Sequence, residues 1–194
     1  VGGVNLLLRF PLNTIRFKEC KLRTHIISPL KVTYNCICIG NANIWNNARL
    51  EGVFKYNDKT FSPLIIIHDG VSIQQDLHLT CAGKIEIGKN TAIAARVTIT
   101  DINHPYVDIN VPIERQDIEV KEVYIGDDCK IYNGVVILPG VTIGKHVTIG
   151  ANSVVTHNIP DFCVAVGAPA HVIKRYNTKS QQWEKTDKQG NFIE

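Results

Sequence analysis

The chain contains no methionine, so as written it lacks an initiator, and further residues are expected to precede Val1. Its six cysteines, Cys20, Cys36, Cys38, Cys81, Cys129 and Cys163, form no C-x-x-C pair. That removes the usual spacing of a zinc ribbon or a redox motif and leaves them as buried thiols of a reducing compartment. No apolar run approaches the roughly 18 residues that a membrane helix needs. The stretch VNLLLRFPLNTIRF is interrupted by Arg9 and Pro11 and lacks a small-residue cleavage site, which argues against a signal peptide. Net charge is scarce as well: +3 at pH 7 is too little to argue for nucleic acid. Two segments are locally basic, residues 1 to 31 and the tail after His171, and both read first as solvated faces that can also meet phosphate.

What is present is one domain's length of chain, 194 residues at 44% hydrophobic, enough for a sizeable core. From residue 125 the sequence divides as IGDDCK, IYNGVV, ILPGVT, IGKHVT, IGANSV and then V. Ile125, Ile131, Ile137, Ile143, Ile149 and Val155 recur every six residues, and Val123, Cys129, Val135, Val141, Val147 and Ser153 stand two before them. A helical period of 3.6 would carry these side chains around the axis, so a helix is excluded here. Short strands of alternating residues, each followed by a tight turn, satisfy both positions and the glycines at 126, 144 and 150. Such units bury a continuous core only by stacking, as in a parallel β-helix.

The same beat runs through Ile67, Ile73, Leu79 and Ile85, slips by two, and continues at Ile87, Ile93 and Ile99. Further back, Val32, Cys38, Ile44 and Leu50 keep the step, with Leu30, Cys36, Ala42 and Ala48 two before them. The interruptions at residues 53 to 63 and 100 to 122 must leave the coils as loops. The expected organisation is an N-terminal appendage at 1–30, a β-helix domain at 31–173, and a basic tail at 174–194, with QQWEK in a short helix or an extended tail.

The phased IG repeats, the run ILPGVTIGKHVTIGANSVVTHNIP and the following VGAPAHVIKR resemble the hexapeptide-repeat acyltransferases. With DINHPY, PIERQ and QQWEK, the likeness points to bacterial O-acetyltransferases of lipopolysaccharide or capsular polysaccharide synthesis. It is specific from about residue 65 onward. The resemblance implies an all-β, left-handed parallel β-helix with an excursion loop and a short C-terminal extension. Left-handedness comes from the resemblance alone, because β-crossovers are usually right-handed. It also implies a homotrimer that moves acetyl from acetyl-CoA to a sugar hydroxyl, with no metal, in the cytoplasm or at the inner face of the membrane. The basic N-terminal segment is where a peripheral membrane contact is expected.

Acyl transfer to an alcohol needs a base to take the hydroxyl proton as the carbonyl is attacked. Imidazole suits that task near neutral pH. His104, where the repeat gives way to the loop, matches the family's catalytic histidine, and Pro105 restricts its backbone to extended conformations. Asp76 and His78, one coil earlier, are candidates to contact the acceptor, and Asp101 and Asn103 are candidates to orient His104 or to contact the acceptor. For the cofactor the resemblance points to Lys130, Asn133, Ala151 and Thr156 along the pantetheine arm and thioester, and to His171, Lys174 and Arg175 near the 3′-phosphate. Many relatives carry tryptophan and glycine where this chain has Lys130 and Tyr132, so the acetyl pocket differs in shape. His146 and His157 fall at exposed turns.

Other readings stay open. An amine acceptor would make the chain an N-acetyltransferase. A zinc hydratase would need three converging histidines, but His68 and His78 occupy different phases of the hexad and His104 lies in the loop. A noncatalytic scaffold could keep the fold without the chemistry.

Overall fold

A computed structural model describes residues 16–21, 23–187 and 190–193. Among these residues the chain is almost entirely β, with two short 3₁₀ turns at Tyr34–Cys36 and Ile113–Arg115. It winds into coils of three short strands, and equivalent strands of successive coils pair in parallel to build three sheets. Sheet 1 stacks Glu19–Cys20, Ile37–Ile39, Leu64–Ile67, Lys84–Ile87, Val123–Ile125 and Thr142–Ile143. Sheet 2 begins at His25–Ile26 and sheet 3 at Lys31–Val32, and both climb in the same way.

Register explains the period of six. Ile125 is paired with Ile143, Ile131 with Ile149 and Ile137 with Val155, so each hexad's aliphatic residue sits directly above the same position one coil below. These side chains are 0% exposed and form one continuous column of core. Burying each one stabilises the fold by about 1.5–3 kcal/mol before entropy is counted. The glycines of the IG pairs sit where coils approach most closely: a Cβ on Gly126 would lie 2.6 Å from the Gly144 backbone. Ser153 is tolerated inside because its hydroxyl donates to the Gly150 carbonyl at 2.7 Å and accepts from the Gly167 N–H at 3.0 Å.

Four of the expected assignments are corrected. Cys38 does not point into the core; Ile37 and Ile39 do, and Cys38 is half-buried on the outer face. The 3₁₀ turn at Tyr34–Cys36 shifts the strand by one residue, and a one-residue shift exchanges the two faces of a strand. Leu30, expected inside, is 74% exposed. The coils begin before residue 31, since Glu19 pairs with Cys38 and His25 with Asn43. The C-terminal segment is neither a helix nor a free tail: Cys163–Gly167, Ala170–Asn177 and Gln182–Lys185 extend sheet 2 as antiparallel strands, so the boundary at 173/174 falls within a strand.

Both interruptions leave the coils as expected. Residues 53–63 carry a small hairpin, Lys55–Tyr56 against Lys59–Thr60. Residues 100–122 start and finish as an antiparallel pair, Ile102–Asn103 against Glu119–Val120. The two-residue phase slip is the corner at Ala82 and Gly83. Four of the six cysteines are buried and none is bonded to another. Residues 1–15 and 22 of the basic N-terminal segment, where a membrane contact is expected, lie outside the described residues, while Arg16, Lys18, Lys21, Arg23 and Lys31 are among those described. Among those described, no helix is long and apolar enough to cross a membrane.

Candidate active site

Side chains alternate across a strand, so the residues between the core positions of sheet 3 face outward. Register aligns them in two rungs: Arg49, His78 and Thr98 in one, Glu51, Thr80 and Thr100 in the other. Both excursions rise from coil ends beside these rungs. The floor and the two walls enclose a cleft of about 360 Å³, with Val53 and Tyr56 from the first excursion and Ile102, His104 and Ile118 from the second.

Charge is concentrated at one end of the floor. Arg49 donates from Nε to Glu51 at 2.6 Å, and Lys31 also pairs with Glu51. Burial alone would raise the Glu51 carboxyl, but bonds from Lys31 and Arg49 outweigh it and hold the group below its ordinary range. Burial, reinforced by the Arg49 charge, pushes His78 the other way, toward the neutral imidazole.

His104 is exposed at the rim, against Tyr56. The two rings meet edge to face with centroids 5.3 Å apart, and the Tyr56 hydroxyl oxygen lies 3.4 Å from His104 Nδ1. That hydroxyl donates to Glu114, whose backbone carbonyl is at 2.9 Å and carboxylate at 2.8 Å. The neighbouring Glu114 carboxylate raises the Tyr56 phenol above its usual value and keeps it protonated. Asn57 Nδ2 donates to the Glu114 and Gln116 carbonyls, and Lys59 pairs with Asp117 at 3.1 Å. The first excursion thus holds the second.

Of the expected acceptor residues, the structure brings only His78 into the cleft with His104. Asp76 has a left-handed backbone, φ 62°, at a turn, and accepts from Asn47 at 3.1 Å. Asn103 donates to Glu119 at the foot of the excursion. Asp101 is fully buried and faces the coil corner: it accepts from the Ala82 and Gly83 N–H groups, both at 2.8 Å, and from the Cys81 thiol at 3.3 Å. Burial raises its carboxyl in spite of those bonds. Gly83 has room for no side chain, since a Cβ there would lie 2.7 Å from Val120.

The expected cofactor residues are spread over the later coils and the hairpin. Lys130 is half-buried on sheet 2 with its ammonium 5.4 Å from the Tyr132 ring centre, and Asn133, Ala151 and Thr156 are exposed at turns. Arg175 lines a second, smaller cleft of about 200 Å³ with His157, Asn158, Pro160 and Val172. Lys174, the next residue back on the strand, projects to the opposite face. His171 lies across from Val166 near the hairpin turn.

A groove of about 440 Å³ runs over sheet 1 beside Cys20, Cys38 and His68. His68 is tied to Glu86 at 2.8 Å on that sheet, away from His78. Among the described residues, no three His, Cys, Asp or Glu side chains are grouped to hold a metal.

Tyr56, Arg49, Glu51 and Glu114 are the functional candidates the sequence reading missed. Outward alternation on Arg49–Gly52 could have found Arg49 and Glu51. Nothing local marks Tyr56, which reaches His104 only through the fold.

Comparison with known proteins agrees with this geometry. The family model described as bacterial transferase hexapeptide (six repeats) matches residues 122–157. An Escherichia coli (strain K12) protein named as a lipopolysaccharide biosynthesis O-acetyl transferase is 37% identical over 129 residues, covering 63% of this chain and 66% of that one, just under two thirds of the relative's length. A maltose O-acetyltransferase from Clostridium difficile 630 is similar in structure at TM-score 0.54 and 29% identity, over 90% of this chain and 78% of the other. A hexapeptide-repeat acetyltransferase of Vibrio cholerae, solved with acetyl-CoA, shares the fold at TM-score 0.60 and 22% identity, over 91% and 80% of the two chains. By its stacked hexads and these relatives, the chain is similar to the hexapeptide-repeat acyltransferases.

Proposed function

We propose that the protein transfers acetyl from acetyl-CoA to a hydroxyl of a sugar in bacterial surface-polysaccharide biosynthesis, with His104 as general base. The observation that carries this reading is an imidazole at the rim of a cleft whose floor is lined by hydroxyl, carboxylate and guanidinium groups. His104 Nε2 takes the proton of the acceptor hydroxyl as its oxygen attacks the thioester carbonyl. The tetrahedral intermediate then collapses, the C–S bond breaks, and the CoA sulfur leaves with the proton returned from the imidazolium. Products are the acetyl ester and free CoA, and His104 is restored.

Left-handed winding is part of the proposal and rests on the likeness to hexapeptide-repeat structures. So is a closed homotrimer, in which a neighbouring copy would complete the cleft. Its support is the outer part of the second excursion, where Tyr106, Val107 and Ile109 are 76%, 80% and 93% exposed. Arg175 is the residue proposed to meet a CoA phosphate, supported by its sharing a cleft with His157.

The test is acetyl transfer to a panel of nucleotide-linked and lipid-linked sugars, read by mass spectrometry, with His104→Ala as control. Ester formation by the parent is expected. In His104→Ala, kcat should fall by roughly 10² to 10⁴, or about 2.7–5.4 kcal/mol of barrier, with the fold intact. Transfer to amino sugars alone would replace O- with N-acetylation. Absence of both transfer and CoA binding by calorimetry would leave a scaffold.

A further inference from the structure

We infer that Tyr56 is a positioning residue that sets the tautomer of His104, so that the 53–63 hairpin is part of the catalytic apparatus. This rests on His104 being the base. A phenol has one proton and must place it somewhere. Both oxygens of Glu114 within reach of the Tyr56 hydroxyl, the carbonyl at 2.9 Å and the carboxylate at 2.8 Å, can only accept. Whichever of them takes the proton, the phenol oxygen turns a lone pair toward His104 Nδ1, 3.4 Å away. Nδ1 is then the nitrogen that donates, and Nε2 keeps the free lone pair that a base requires.

Geometry holds the arrangement from three sides. The edge-to-face ring contact limits rotation of the imidazole. Asn57 fixes the Glu114 and Gln116 carbonyls to the same hairpin, and Lys59 pins Asp117. When Nε2 takes the acceptor's proton, the imidazolium Nδ1–H points at an oxygen already polarised by Glu114, so the charge that develops is met without rearrangement. At 3.4 Å the contact is long, as catalytic hydrogen bonds often are before substrate tightens them.

The experiment uses the full chain with ¹⁵N-labelled histidine and long-range ¹H–¹⁵N correlation to read which His104 nitrogen is protonated, together with steady-state kinetics. The parent is expected to carry the proton on Nδ1. Tyr56→Phe keeps the ring contact and removes the hydroxyl: the Nδ1–H preference should be lost, and kcat should fall roughly 10- to 100-fold, the loss seen when the partner that orients a metal-bound histidine is removed, with KM little changed. Glu114→Gln keeps the backbone carbonyl and should lose less. A Tyr56→Phe protein with the parent's tautomer, or with unchanged kcat, overturns the inference. The two readings separate cleanly: if His104→Ala stays active, the base assignment fails, whereas the tautomer in Tyr56→Phe still reports whether Tyr56 controls His104.

Discussion

The coils from Val123 to Val155 and those from Ile37 to Thr100 share one architecture and differ in what they interrupt. The later coils run hexad after hexad with no insertion, and their aliphatic columns are buried to within 1%. The earlier coils break three times, at 53–63, at the Ala82–Gly83 corner and at 100–122, and every wall of the candidate cleft comes from beside those breaks. A solenoid repeat is stabilised by its nearest neighbours, so coils with uninterrupted contacts can carry stability while the interrupted ones carry reactive groups.

The sharpest way to test this division is a cavity in the regular half. Ile143 is fully buried between Ile125 and the Ile159 bridge. Ile143→Ala should cost about 2–5 kcal/mol by denaturant unfolding, while the acetyl-transfer kcat of the molecules that remain folded stays unchanged. A comparable loss of kcat would mean that the two halves are not separable.

Asp101→Asn probes the join between them. Asn offers one oxygen where Asp101 offers two, so an NH₂ would face the N–H of Ala82 or Gly83. The expected loss is about 1–3 kcal/mol of stability, read as a lower melting temperature, with the second excursion's Ile102–Asn103 and Glu119–Val120 amides exchanging faster. An unchanged melting temperature would remove Asp101 from the corner's support.

The smallest effect distinguishes two adjacent residues at the far end. Arg175→Ala should weaken acetyl-CoA by roughly tenfold, about 1.4 kcal/mol, and more than it weakens dephospho-CoA. Lys174→Ala, on the other face of the strand, should alter neither affinity. Calorimetry on both ligands decides, and equal losses for the two variants would mean that the hairpin acts only as a diffuse positive charge.

Much of this was legible in the sequence, because a period of six names the fold wherever no residue is added or removed. The columns of Ile125 to Val155 and Ile67 to Ile99 were assigned to the core from spacing alone, and the two excursions were assigned as departures from it. Legibility failed where the count changed by one. At Tyr34–Cys36 a single turn exchanged Cys38 for Ile39. The antiparallel C-terminal strands were missed because a chain that leaves a repeat no longer has a period to read. Asp101 lies three residues before His104 in sequence, yet turns inward to cap a corner 19 residues back.

By itself, the sequence determined the stacked strands, the buried aliphatic columns and the places where the coil is broken, and its family resemblance pointed to His104. Only the tertiary structure decided what surrounds that histidine. Tyr56 lies 48 residues before it, and Arg49, His78 and Thr98 become neighbours through pairing between coils. The physical reason is that hexad spacing records the local alternation of one strand. A site built across coils depends on how many residues each excursion adds before the chain returns to register.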